Sequence, residues 1–367
     1  MANKVGIITF HGAHNYGSSL QAFALQKAIE RLGFDCEIIN FRTSQQRDQY
    51  APLTKRKGLK YVLKNGYFLL NYKSRVQKHK AFEAFIQSKL KKSTAEYASA
   101  EELCEAKMDY SHYVSGSDQI WNTTAQDSST VYFLPFVKTK KKIAYAPSFG
   151  PLGRIKSKDE IKAFLSEYHS LSVREDAGQA LVEELTGIKA PVLPDPTMLL
   201  PVQEWEALVD EKPLVNGEYI FFYSLFASPE MISMGKTLSN WLHMPVVISN
   251  VSNQHEIFSG FHKKLSCGPL QFLNLIKNAR YVCTSSFHGT VFSLLMHKPL
   301  VSMRGMADNR ISTLLKMTGT EACSISCADD IDEKYLNRIN TIDFENVDER
   351  IQLERTRGID YLRDALG

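Results

Sequence analysis

Short apolar runs alternate with amphipathic stretches almost from end to end, and a proline-rich link interrupts the alternation once. VGIITF (5–10) leads through a Gly/Asn/Ser turn into SLQAFALQKAIERLG. There Leu20, Phe23, Ala24, Ala28 and Leu32 recur at helical spacing before Gly33 stops the helix. CEIINF then reads as a strand. HYVSGSD, KKIAYAPSFG, SLSVRE and PVLPDPTMLL read as further strands or strand ends, with KDEIKAFLSEYH and EDAGQALVEELTG as helices among them. After Pro191, Pro194, Pro196 and Pro201 the pattern restarts with EYIFFYSLF, SPEMISMGKTLSNWLH, PVVISNVS, GPLQFLNLIKNA, RYVCTSS, FHGTVFSLLMHK, PLVSMR and NRISTLLKMTG. Strands covered on both faces read as continuous apolar runs, as these do. The pattern predicts an α/β protein of two doubly wound, Rossmann-like domains in a GT-B-type arrangement with a ligand cleft between them. The expected domains are 1–199, with a basic helical insertion near 50–95, and 200–367, closed by the charged helix NVDERIQLERTRGIDYLRDALG.

Composition narrows the function classes. At 44% hydrophobic and 23% charged residues, the chain is not a largely disordered one. Apolar runs such as YIFFYSLFA fall far short of the roughly 20 residues that span a bilayer. Met1-Ala-Asn-Lys leads directly into the first strand without a secretory signal pattern, so a cytoplasmic location is expected. The six cysteines are scattered, none forms CxxC, and no metal is expected. The net charge of +4 is uneven. Between Lys55 and Lys92, twelve basic side chains face one acid, Glu83, which leaves that stretch at +11 and the remainder at −7. With Tyr61, Tyr67, Phe68 and Tyr72 interleaved, it suits peripheral contact with an anionic inner leaflet or a lipid-linked diphosphate, or is simply a solvated face. No nucleic-acid-reading fold accompanies it.

Four clusters fall at the ends of expected strands, where open α/β sheets bind ligands. In HGAHNYGSSLQ, the amides around Asn15, Gly17 and Ser18 open a helix and suit an anion or a sugar hydroxyl; the alternative is a plain βα turn with Ser18 as N-cap. It is neither GxGxxG nor a P-loop. In VSGSDQIWN, Asp118 can take a proton from a hydroxyl and Trp121 can wall a sugar ring; the alternative is an Asx-turn with a core tryptophan. In SVREDAG, Arg174 suits a bidentate grip on phosphate or carboxylate, or pairs with Glu175 and Asp176. Asp195 in PDPT reads as structural. In CTSSFHGTVFSLL, Ser285, Ser286, His288, Gly289 and Thr290 stand between a strand and a helix. There, amides, hydroxyls and an imidazole form a phosphate pocket with an acid/base group.

In this order and spacing, VGIITFHGAHNYGSSLQAFALQKAIERLG, GSDQIWN, SVREDAG, LPDPTMLL, TSSFHGTVFSLLMHKPLVSM and NRISTLL resemble the polysaccharide pyruvyl transferase family. The resemblance runs roughly from Lys4 to Lys316. It implies a GT-B-like fold and transfer of pyruvate from phosphoenolpyruvate to a sugar, as a cyclic ketal across two hydroxyls. The acceptor would be a lipid-linked repeat unit of a capsule or exopolysaccharide. By resemblance His288 is the acid/base and phosphate-contacting histidine, Asp118 the base, and Arg174 the arginine that grips phosphoenolpyruvate. No metal or redox cofactor is implied. The family's Arg-Leu-His motif reads Ser286-Phe287-His288 here, and Arg304 or Arg310 is expected to supply the missing cation. A nucleotide-sugar glycosyltransferase and a non-catalytic binding module on the same fold are the competing readings.

Overall fold

The computed structural model describes residues 4–51, 71–125, 127–138, 140–152, 157–252 and 254–367. Much of the basic insertion, including Lys55, Arg56, Lys57, Lys60, Lys64, Tyr61, Tyr67 and Phe68, lies outside the described residues.

Two compact units result. The first comprises Met1–Tyr72, Phe82–Leu200 and Glu354–Gly367; the second comprises Lys73–Ala81 and Pro201–Leu353. The chain thus leaves the first unit at the proline-rich link and returns to it within its last helix, Phe344–Leu366. In that terminal stretch Tyr361 donates to Ala144 O at 2.9 Å and Arg355 Nε to Met198 O at 2.9 Å. These are backbone acceptors of the first unit, so the stretch folds with it.

The first unit is built on a five-stranded parallel sheet in the order β3-β2-β1-β4-β5. Its strands are β1 (Lys4–Ile8), β2 (Asp35–Phe41), β3 (Lys92–Tyr97), β4 (His112–Ser115) and β5 (Lys141–Ala144). Val5 pairs with Cys36 on one side and His112 on the other, so β1 is central. Val5, Ile7, Ile8, Ile38, Val114 and Ile143 are all fully buried, which is why these runs are apolar throughout. The second unit carries six parallel strands in the order β11-β10-β9-β6-β7-β8. These are β6 (Ile220–Tyr223), β7 (Val246–Ile248), β8 (His262–Lys263), β9 (Tyr281–Thr284), β10 (Leu300–Met303) and β11 (Ser324–Ile325).

Three sequence expectations change. SLSVRE and PVLPDP do not form strands; single bridges join Ser170 of the first to Ile143 of β5 and Val173 of the first to Val192 of the second. Pro191 and Pro194 bring no N–H to a ladder, which keeps the pairing from propagating. KKIAYAPSFG is a strand only to Ala144, because Ala146 turns the chain at φ +45°. β3, KSTAEY, was not expected: it is a polar edge strand without an apolar run to mark it. No helix among the described residues is long and apolar enough to cross a membrane.

Candidate functional site

In a doubly wound sheet, ligands bind outside the carboxyl ends of the strands where the strand order reverses. In the first unit the chain winds from β1 to β2 and β3, then resumes at β4 on the other side of β1. The reversal lies between β1 and β4, and the loops after these strands carry two of the four clusters. A side-chain bond bridges them: Ser18 Oγ donates to Asp118 Oδ2 at 2.5 Å.

The helix that follows β1, Tyr16–Arg31, starts earlier than Ser18. Asn15 is its N-cap, its Oδ1 accepting from Gly17 N at 3.0 Å and Ser18 N at 3.4 Å. Those amides are therefore taken by Asn15, and Gly17 and Ser18 are buried. The turn is the capped βα turn of the second reading, with Asn15 rather than Ser18 as the cap, and the hydroxyl of Ser18 holds Asp118.

The loop after β4 is tightly specified. Gly116 has φ +151°, and a Cβ there would lie 2.1 Å from Tyr145 O, so only glycine fits. Asp118 itself is left-handed at φ +72°, a conformation that Asp tolerates better than most residues. Its Oδ1 accepts from Gln119 N at 2.8 Å and lies 3.7 Å from Arg174 NH2.

Arg174 is only 2% exposed and lies among carboxylates. NH1 is 2.7 Å from Asp195 Oδ2, and Nε is 4.0 Å from Glu175 Oε2. Burial disfavours its charge, but Asp195, Asp118 and Glu175 outweigh that and raise its pKa. The anions Arg174 grips are the protein's own, so the structure gives it an organising place behind Asp118 rather than an open phosphate grip. Asp195 also accepts from Thr197 N and Oγ1, at 3.0 and 2.8 Å, and is structural as expected. Trp121 is 1% exposed, stacked on Phe133 at 5.1 Å, with Nε1 donating to Tyr132 O at 3.3 Å. It is a core tryptophan, with no ring face open to solvent.

Sequence reasoning passed over several groups beside this loop. His11 is fully buried with ring nitrogens 3.0 Å from Asn40 Oδ1 and 3.3 Å from Thr9 O. Burial outweighs both contacts and lowers its pKa to about 4. His14 Nε2 meets Glu83 Oε1 at 2.9 Å, and Arg42 clasps both oxygens of Glu83 at 2.8 and 3.2 Å. Burial would raise the Glu83 pKa, but the bonds from His14 and Arg42 hold it well below the usual carboxylate range. Asp127 is pushed up by burial and by the charge of Asp118. The only signal for this cluster was the pair of histidines directly after the first strand. Glu83 and Arg42 reach it from 69 and 28 positions along the chain.

The second unit repeats the topology. Its strand order reverses between β6 and β9, and again a side-chain bond bridges the reversal: Ser285 Oγ donates to Ser224 Oγ at 2.8 Å. Ser286 is the N-cap of the helix Phe287–Leu295, accepting from Gly289 N at 3.3 Å. Thr284 Oγ1 donates to Tyr223 O at 2.6 Å and accepts from Ser286 N at 3.0 Å. A Cβ at Gly289 would lie 2.4 Å from that hydroxyl, so the helix start approaches the strand end as closely as glycine allows. Thr290 Oγ1 bonds Ser286 O at 3.1 Å. His288, on the first turn of this helix, is 7% exposed and packs edge-on against Phe287 at 5.2 Å.

The two candidate arginines are not equivalent. Arg310 is held by Asp308, with Nε to Oδ1 at 2.9 Å and NH2 to Oδ2 at 2.5 Å. Arg304 is exposed, left-handed at φ +56°, and directly follows β10, the neighbour of β9. Its charge helps lower the pKa of Glu230, after the Ser228 hydroxyl and a backbone bond.

Two parallel-sheet α/β units of this kind define the GT-B fold class, and solved structures share it. A UDP-GlcNAc 2-epimerase from Neisseria meningitidis bound to UDP-GlcNAc aligns with TM-score 0.50 and 8% identity, covering 99% of each chain. A Listeria monocytogenes protein assigned as a UDP-N-acetylglucosamine 2-epimerase aligns with TM-score 0.53 and 11% identity, over 96% of this chain and 91% of that one. At such identities the likeness is one of fold. Within this class, the family model for polysaccharide pyruvyl transferase matches residues 15–304, most of the chain, and the chain belongs to that family. Comparison with curated protein sequences finds no match.

Proposed function

We propose that this chain transfers pyruvate from phosphoenolpyruvate to a sugar, closing a ketal across two hydroxyls. The methylene carbon of the donor gains a proton. Two sugar oxygens bond in turn to the adjacent carbon, and the carbon–oxygen bond to phosphate breaks. The two hydroxyl protons balance the one gained by carbon and the one carried off by phosphate. Asp118 takes a hydroxyl proton, and His288 delivers and accepts protons at the donor. Ser285, Ser286 and Arg304 receive the phosphate at the start of the helix Phe287–Leu295, where the Gly289 and Thr290 amides are already taken by Ser286, and Arg304 rather than Arg310 replaces the arginine of the family motif. The chemistry calls for neither a metal nor a redox cofactor. The acceptor in this reading is a lipid-linked oligosaccharide, which the +11 stretch at 55–92 would meet at an anionic surface.

The observation that carries the reading is Asp118, a carboxylate held by Ser18 at the strand-order reversal of a chain in this family. Phosphate release from phosphoenolpyruvate in the presence of sugar acceptors tests it. His288→Ala is expected to slow transfer by about 10²–10⁴-fold. Turnover unchanged by that substitution would remove His288 from the chemistry.

A further inference from the structure

The loop that carries Asp118 continues into the wall of a cavity of about 230 Å³ in the first unit. Ile120 and Trp121 form one side, Ser128, Ser129 and Thr130 with Phe133 another, and Glu160, Ile161 and Phe164 of the helix Lys158–Leu165 the third. The volume equals roughly eight waters at about 30 Å³ each, the size class of a single sugar ring.

Its chemistry discriminates among ligands. Trp121, Phe133 and Phe164 form a ladder of stacked rings, at 5.1 Å and 10° between the first two and 5.4 Å and 21° between the last two. Trp121 and Phe133 are closed in the core, and the half-buried Phe164 at the outer end of the stack gives the cavity an apolar flank. Against it stand hydroxyls, those of Thr123, Ser129, Thr130 and Ser157 among them. Glu160 is the one charged side chain among the described lining residues, and no cation lines the cavity there. Among the described lining residues, a phosphate or a carboxylate would meet the like charge of Glu160 and no counter-charge. A neutral polyol would meet hydroxyl partners, a carboxylate acceptor and an apolar flank for its C–H face. The wall begins two residues after Asp118, at most about 7 Å of extended chain away.

We propose that this cavity is the subsite that holds one neutral sugar ring of the acceptor, beside the carboxylate that takes its proton. The assignment of that ring to an acceptor rests on the pyruvyl-transfer reading. Glu160 fixes ring hydroxyls, and Thr130, exposed at the cavity, sets how much ring can enter.

Saturation-transfer NMR on the full chain with methyl β-galactopyranoside, methyl β-glucopyranoside and methyl α-mannopyranoside tests the proposal. The expected result is saturation of the ring protons of at least one glycoside by the wild type. The signal should fall at least threefold in both Thr130→Trp, which fills the cavity, and Glu160→Gln, an exposed change that leaves packing intact. Silence from all three glycosides, or an equal signal in the two variants, overturns the subsite. Phosphoenolpyruvate titrated into the same samples separates the two readings. Variant-sensitive sugar binding without donor binding keeps the subsite and removes the donor. Donor binding with sugar silence does the reverse.

Discussion

Ser18 Oγ donates to Asp118 Oδ2 at 2.5 Å, and this one bond ties the first turn of the helix after β1 to the loop after β4. It fixes the carboxylate at the point where the first sheet reverses its strand order. Behind it, Arg174 NH2 lies 3.7 Å from the other oxygen and is itself anchored by Asp195. In the pyruvyl-transfer reading a base for a sugar hydroxyl must be oriented, and these neighbours hold Asp118 in place.

Asp118→Asn keeps the left-handed backbone, which Asn also tolerates, and retains an oxygen for Ser18. Transfer is expected to fall by about 10²–10⁴-fold while the melting temperature stays within a few degrees of wild type. Paired rate and melting measurements check this. Wild-type turnover in the variant would show that another group takes the proton.

Arg174→Met replaces a buried guanidinium with an apolar side chain of similar length and strands Asp195, fully buried, without its cation. Removing one partner of a buried pair typically costs about 3–5 kcal/mol. Urea unfolding should show a loss of that order. A phosphate grip open to solvent would instead lower donor affinity with little effect on stability.

His11 supplies a pH signature. Its pKa is lowered from 6.5 to about 4 by burial, so between these values the unfolded chain binds the proton and the folded one does not. Its contribution to stability is complete above about pH 6.5 and is lost as the pH falls towards 4. The shift corresponds to on the order of 3 kcal/mol. His11→Gln should flatten the stability profile across that window in denaturant titrations at several pH values. An unchanged slope would assign the pH dependence to other groups.

The two-sheet plan was legible because buried parallel strands leave unbroken apolar runs: IFFY at β6 and LVSM at β10 are buried at every position. KSTAEY at β3 left no such mark, since an edge strand can be polar and still pair. SVRE looked like a strand by composition, but the prolines opposite it allow only one bridge. At the sites, Asp118, Ser286 and His288 stand at strand ends as their flanking glycines and hydroxyls suggested. What spacing could not convey was who holds whom. Asn15 displaced Ser18 as the cap, Arg174 turned towards protein carboxylates, and Glu83 joined His14 and Arg42 from far along the chain. The contacts of Arg174 with Asp195 and of Glu83 with His14 and Arg42 join residues distant in the chain and are set by packing, whereas the Asn15 cap is local and only its choice over Ser18 went unread.

The central claim is the donor, and thermal denaturation with phosphoenolpyruvate, with uridine diphosphate as comparator, tests it most directly. A ligand that binds only the folded chain stabilises it by about 2.7 kcal/mol at one hundred times its Kd. Saturable stabilisation by phosphoenolpyruvate, absent with uridine diphosphate and lost in the His288→Ala variant, is the predicted result. Stabilisation by uridine diphosphate with none from phosphoenolpyruvate would contradict it and point to a nucleotide-sugar donor.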